Sequence, residues 1–212
     1  MTEQSRSTAE IIGLVADVIT PVFTIERTMV MPFDLNRHEN VGEHGFALGL
    51  LAGALAHTID PSLDTGKIAE YALVHNIVQI HSGDVTVWES DEVIRKKVTD
   101  EMLAADRILA DYPMFPWLIG KYKEYELRDT PEKRFVHALD KLYPHILILI
   151  EDHHPVHPTW AAYERTEEIA REHVAGFPAL LPLFDDLCLM FRQKPHFFST
   201  PIPPDESDRH SL

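Results

Sequence analysis

The chain has 212 residues, 45% of them hydrophobic, which is enough for one compact domain with a real core and does not require a second. Thirty-four acidic against nineteen basic residues leave a formal charge of −15 at pH 7, which repels a phosphate backbone and excludes a polymeric nucleic acid as the expected partner. The single cysteine, Cys188, excludes an intramolecular disulfide and a cysteine-rich zinc site and fits a reducing, cytoplasmic setting.

Residues 1–10, MTEQSRSTAE, are polar, and the apolar stretch that follows carries Asp17, so neither a signal peptide nor a membrane anchor is expected. Ile11, Ile12, Leu14, Val15, Val18, Ile19 and Val22 recur at helical spacing behind Ser7 or Thr8 as N-cap, which predicts a first helix. The stretch TMVMPFDLNRHENVGE, 28–43, has no clean period and reads as an irregular segment able to form part of a site. A second helix is predicted from His44 to about His57, then a turn at DPSLDTG, then a third helix over KIAEYALVHNIVQIH, 67–81. Gly83 ends that helix, and a charged helix follows from about 91 to 112, with DEVIRKK as a solvated, internally paired face.

PWLIGKYKEYELRD reads as a shorter helix. TPEKRFVHALDKLYPHILILIEDHH opens with Thr130 as N-cap, Pro131 at the first helical position and Glu132 in the first turn, a strong entry signal, with Pro144 expected to kink it. The apolar run ILILI at 146–150 is far shorter than the roughly 20 residues of a membrane span. Two last helices are predicted at about 160–174 and 178–192, and a polar, proline-rich tail from 196 to 212 that cannot offset the entropy of ordering it. No run of alternating strands is evident. The expected architecture is all-α: one domain over 1–195, then the tail.

His44 stands at the start of the second helix, His75 and Asn76 in the third, Gln79 and Asp84 just beyond them, and Asp140 inside ALDKL. A helical bundle can bring such positions to one core site, and two imidazoles with one carboxylate suit a divalent transition metal that keeps an open face for substrate. Taken singly, each has a plain structural role. His44 could cap a helix, His75 could be a satisfied core histidine, and Asn76 could bond a neighbouring helix. His153, His154 and His157 in EDHHPVHP are read as a turn, not a second metal site, because Pro155 and Pro158 break any regular geometry.

In order, RHENVGEH at 37–44, ALVHN at 72–76, GD at 83–84 and EYELRDTPEKRFVHALDKL at 124–142 resemble the HD-domain superfamily of metal-dependent phosphohydrolases, most closely its small 5′-deoxynucleotidase branch. The resemblance covers about 25–150. It implies an HD-type helical bundle with additional C-terminal helices and one divalent transition metal, whether manganese, cobalt, zinc or iron. By position, His44, His75, Asn76 and Asp140 fall on the metal ligands, and Gln79 and Asp84 on the groups that assist proton transfer. Arg27 falls on the arginine that binds substrate phosphate, with Arg37 and Lys141 as nearby cations. The implied substrate is a small phosphorylated metabolite such as a nucleotide, and the implied assembly a homodimer.

Two departures stand out, since Asn76 and Gln79 are amides where the family has carboxylates. An amide oxygen is an uncharged and poorer ligand, and an amide cannot accept a proton as a general base. The sequence therefore supports a phosphohydrolase of normal or reduced activity, with an inactive HD-fold protein that binds a nucleotide or a protein partner as the alternative.

Overall fold

The computed structural model describes residues 7–85, 91–152 and 159–200. The chain divides into two compact units, Met1–Val136 and His137–Leu212.

In the first unit, α1 (Thr8–Leu14) starts on Ser7, whose hydroxyl accepts from the Glu10 N–H while the Glu10 carboxylate accepts from the Ser7 N–H, a reciprocal cap. The expected single helix changes pitch here. Val15–Ile19 is a π-helical turn and Thr20–Phe23 a 3-10 turn. Pro21, which has no N–H to donate, is the physical reason that a regular ladder does not run on to Val22.

The segment expected to be irregular is a hairpin. Strands β1 (Glu26–Met31) and β2 (Asp34–Asn40) pair antiparallel, with Glu26 opposite Asn40 and Val30 opposite His38, joined by a tight turn at Pro32 and Phe33. Most of β2 is exposed on both faces, so no alternation of apolar and polar residues betrays it, and the register shifts along the pair blur it further. It is the one sheet among the described residues, and the fold is otherwise helical.

Helix α2 (Val41–Ile59) begins one residue beyond the hairpin and packs against α3 (Thr65–Val74), whose N-cap Asp64 accepts from the backbone of Gly66 and Lys67. The third predicted helix does not run through to His81. It stops at Val74, passes through turns at His75–Val78, and resumes as the single turn α4 (Gln79–Ser82). Bonds from Ile77 to Val74 and from Gln79 to Asn76 tighten the chain there to three-residue spacing, which no apolar pattern in VHNIVQIH reveals. Gly83 ends α4 at φ 74°, a left-handed conformation that glycine adopts without strain.

Helix α5 (Asp91–Asp111) and α6 (Pro116–Glu126) complete this unit together with the start of α7 (Pro131–Glu151). On α5 the charge run is a solvated face, with Lys96 paired to Asp100 and Lys97 to Glu101. Val18, Val74, Ile77, Val78, Ala104, Ala105, Ile108, Ile119 and Tyr122 form a buried core behind the His75–Val78 turns. Pro144 lies within α7, which is helical throughout its length.

The second unit takes in the rest of α7, α8 (Trp160–Val174) and α9 (Leu181–Arg192), the last entered through a 3-10 turn at Pro178–Leu180. Tyr163 stacks on Phe191 with ring centroids 5.3 Å apart, and Phe191 in turn meets Phe197. No described helix is long and apolar enough to cross a membrane. His153, His154 and His157, and residues 201–212 of the expected tail, lie outside the described residues.

Candidate metal centre

His44 is set by the start of α2. Asn40, the last residue of β2, is the N-cap: its side chain accepts from the Glu43 N–H at 2.9 Å, and the Glu43 carboxylate accepts from the Asn40 N–H at 3.1 Å. Val41, His44, Leu48, Ala52 and Ala56 then fall on one buried stripe at helical spacing. Gly45 lets that stripe approach α3 closely, since a Cβ there would sit 3.2 Å from the Ala72 carbonyl oxygen. His75 caps the end of α3, and the two imidazoles meet with ring centroids 5.2 Å apart.

Each ring has its Nδ1 beside a group that can only accept. His44 Nδ1 lies 3.2 Å from Glu39 Oε2, and His75 Nδ1 lies 2.8 Å from the Ala72 carbonyl oxygen. Those partners place a proton on Nδ1 in both rings, so that in the neutral imidazole Nε2 is the nitrogen with the lone pair, the state a metal ligand requires. The ring of Tyr125 meets His75 edge-on at 6.0 Å and lies 5.9 Å from that of Tyr71, whose hydroxyl donates to Glu124 at 2.7 Å. Burial, then this bond, pushes the Tyr71 phenol upward, so it stays protonated.

Asp140 is buried on α7 and accepts from Lys141 Nζ at 2.8 Å. Two neutral imidazoles and one carboxylate fit a borderline divalent metal and leave further positions open.

A model of the HD domain family matches residues 23–180. The chain belongs to the HD-domain family. It is 24% identical over 133 residues to the 5′-deoxynucleotidase hdd1 of Schizosaccharomyces pombe, a match covering 59% of this chain and 64% of that relative's length. A crystal structure of a predicted metal-dependent phosphohydrolase from Magnetospirillum magnetotacticum superposes with a TM-score of 0.66 at 23% identity, covering 86% of this chain and 96% of that one.

Two positions of this HD-domain chain carry amides, and they bind each other: Gln79 Nε2 donates to Asn76 Oδ1 at 3.1 Å. Gln79 is 2% exposed, and with its amine so engaged its Oε1 is buried without a hydrogen-bond partner. Such an oxygen accepts from whatever donor enters beside it. Asn76 keeps a second lone pair on Oδ1. Asp84 follows Gly83, half-buried, just outside α4.

The cations differ in setting. Arg27 on β1 is largely buried, its Nε 3.2 Å from Glu39 Oε2, yet the N–H is not aimed at that oxygen and makes no hydrogen bond. Arg37 on β2 is exposed and bonds Glu43, the capping residue of α2, at 2.6 Å. Lys141 is half-buried on Asp140. His81 lines a cleft of about 520 Å³ with Asp17, Arg107, Asp111 and Tyr112, where partial burial and then the neighbouring Arg107 charge lower its pKa.

Sequence reasoning missed Glu39. One acid in the polar run NRHEN reads as solvated, whereas the structure buries it at 1% exposure. Its signal was position, immediately before an N-cap and five residues before His44.

Proposed function

We propose that this HD-domain chain is a metal-dependent phosphohydrolase that releases phosphate from a nucleoside monophosphate or a similar small phosphorylated metabolite. The observation that carries the reading is that both histidines, their rings 5.2 Å apart, commit Nδ1 to acceptors, so that Nε2 is the nitrogen each would turn to a cation. The 5′-deoxynucleotidase relative supports the nucleotide as substrate class.

A divalent ion held by His44, His75 and Asp140 would supply Lewis acidity toward a phosphoryl oxygen and acidify a water for attack. Arg27, a buried cation with an unbonded N–H, is suited to a phosphate oxygen. Gln79 Oε1 orients the attacking water by accepting from it but cannot take its proton. That proton goes to Asp84, the carboxylate that follows Gly83 in the chain. Lys141 holds the Asp140 carboxylate, and Arg37, on the exposed strand, adds local positive potential to an acidic molecule. A homodimer and a cytoplasmic setting complete the reading. Light scattering on purified protein tests the first.

The deciding experiment strips the protein of metal, reloads it separately with manganese, cobalt, zinc or iron, and follows phosphate release across nucleoside monophosphates. Metal uptake with turnover that falls on His44→Ala and His75→Ala is the expected result. A folded protein that takes up none of the four ions and releases no phosphate removes the reading.

A second reading rests on the Asn76 and Gln79 amides, which bond each other and bring no charge. On it, the chain binds a nucleotide or a partner without turning it over, and the same screen would show nucleotide affinity without phosphate release.

A further inference from the structure

Among the described acids Glu39 is the least exposed, and it stands at the end of a strand whose preceding residues are all in solvent. A carboxylate is not taken out of water without compensation, so what faces it explains why it is there. Two groups do, and both meet the same oxygen: His44 Nδ1 at 3.2 Å and Arg27 Nε at 3.2 Å from Oε2. The three residues come from three successive elements, β1, β2 and α2, and the hairpin pairing brings Arg27 beside the strand that delivers Glu39.

We infer that Glu39 is a shared positioning residue, one carboxylate oxygen that holds the His44 ring with Nε2 presented to the metal and holds the Arg27 guanidinium beside it for the substrate phosphate. The inference rests on the proposed roles of His44 as ligand and Arg27 as phosphate binder. Its chemistry toward His44 is orientation: an acceptor behind Nδ1 fixes both the tautomer and the ring plane, and loss of such a partner typically costs about 10- to 100-fold in metal affinity. Toward Arg27 it is charge. The guanidinium keeps an N–H unspent because Glu39 neutralises it without hydrogen-bonding that N–H.

The two duties separate by substitution. Glu39→Gln keeps an acceptor oxygen for His44 Nδ1 and loses the charge facing Arg27, Glu39→Ala loses both, and Arg27→Met removes only the cation. Metal-free wild type and each variant are checked for folding by circular dichroism and titrated with cobalt(II), read by its visible absorption, and the loaded proteins are then titrated with inorganic phosphate.

Glu39→Ala is expected to weaken cobalt binding about 10- to 100-fold and to alter the absorption band. Glu39→Gln should stay within a few-fold of wild type for cobalt while binding phosphate differently. Arg27→Met should match wild type for cobalt and lose phosphate affinity. A folded Glu39→Ala with the wild-type cobalt affinity and spectrum overturns the inference while leaving the metal reading intact, whereas a wild type that takes up no cobalt overturns both. Should Glu39→Ala fail to fold, long-range proton–nitrogen spectra of wild type decide: a His44 ring protonated on Nδ1 is expected, and one protonated on Nε2 overturns the assignment.

Discussion

Gln79 donates its amide N–H to Asn76 Oδ1 at 3.1 Å, so the two positions at which this chain departs from the HD pattern form a closed pair in which neither residue carries charge. Converting both, Asn76→Asp with Gln79→Glu, replaces that bond by two carboxylates in contact. Without metal they repel, and the variant should melt below wild type. With metal, a charged ligand and a protonatable group return, so affinity and turnover should rise together. Thermal melts of stripped and manganese-loaded protein, followed by phosphate release, check this. A bound ion stabilises by about 2.7 kcal/mol at a hundred times its dissociation constant, so the gap between the two melts should widen in the variant. An unchanged gap and unchanged turnover in a folded double variant would show that these positions do not face the ion.

Much of the helical framework was legible from caps. Thr130, Pro131 and Glu132 form a local chemical signal, and α7 starts at Pro131 as they predict. The hairpin was not legible, because β2 buries almost nothing and so shows no period. Nor was the break at His75, since VHNIVQIH keeps an apolar pattern while the backbone leaves the helix. At the candidate site, motif order alone singled out His44, His75 and Asp140, and no local spacing could report that the His44 and His75 rings meet 5.2 Å apart. Glu39 was hidden because its burial depends on Arg27, twelve residues earlier and across a strand pair.

The cap that starts α2 should matter twice. Asn40 accepts from Glu43 N–H and receives the Glu43 carboxylate in return, one turn before His44. Asn40→Ala removes the acceptor and should cost about 1 kcal/mol of unfolding free energy in urea titrations. Because the frayed turn carries His44, metal affinity should fall in parallel. The equivalent loss at α1, Ser7→Ala, should cost about as much stability with no change in metal binding.

His145 makes stability depend on acid. Its ring lies edge-on to Phe184 at 5.9 Å and to Phe191 at 5.7 Å, and its Nδ1 sits 3.1 Å from the Lys141 carbonyl oxygen. Burial lowers its pKa, outweighing the opposing effects of that carbonyl and of Glu167. With the folded value below the unfolded one of about 6.5, the two states bind protons equally above that pH. Below it the unfolded chain protonates first, so stability falls as pH drops toward the folded value. Urea unfolding of metal-free protein at descending pH should show the decline, and His145→Phe should remove about one proton from its slope. An unchanged slope would place the acid sensitivity elsewhere.

Two glycines on α2 should respond in opposite directions to the same change. At Gly45 a methyl group would stand 3.2 Å from the Ala72 carbonyl oxygen, a backbone atom that moves only if α3 does. Gly53 lies two turns further along the same helix, and a Cβ there meets nothing within 4 Å. Gly53→Ala therefore gains helix propensity without a clash and should stabilise the protein by up to about 1 kcal/mol. Gly45→Ala gains the same propensity but pushes α2 from α3, and overpacking of that kind costs about 1–3 kcal/mol. The push falls between His44 and His75, whose rings stand 5.2 Å apart, and His75 takes its Nδ1 partner from the very carbonyl that would be displaced. Metal affinity should thus drop in Gly45→Ala and stay level in Gly53→Ala, as read by cobalt titration beside thermal melts. Equal metal affinities in the two variants would mean that the α2–α3 approach does not set the histidine pair.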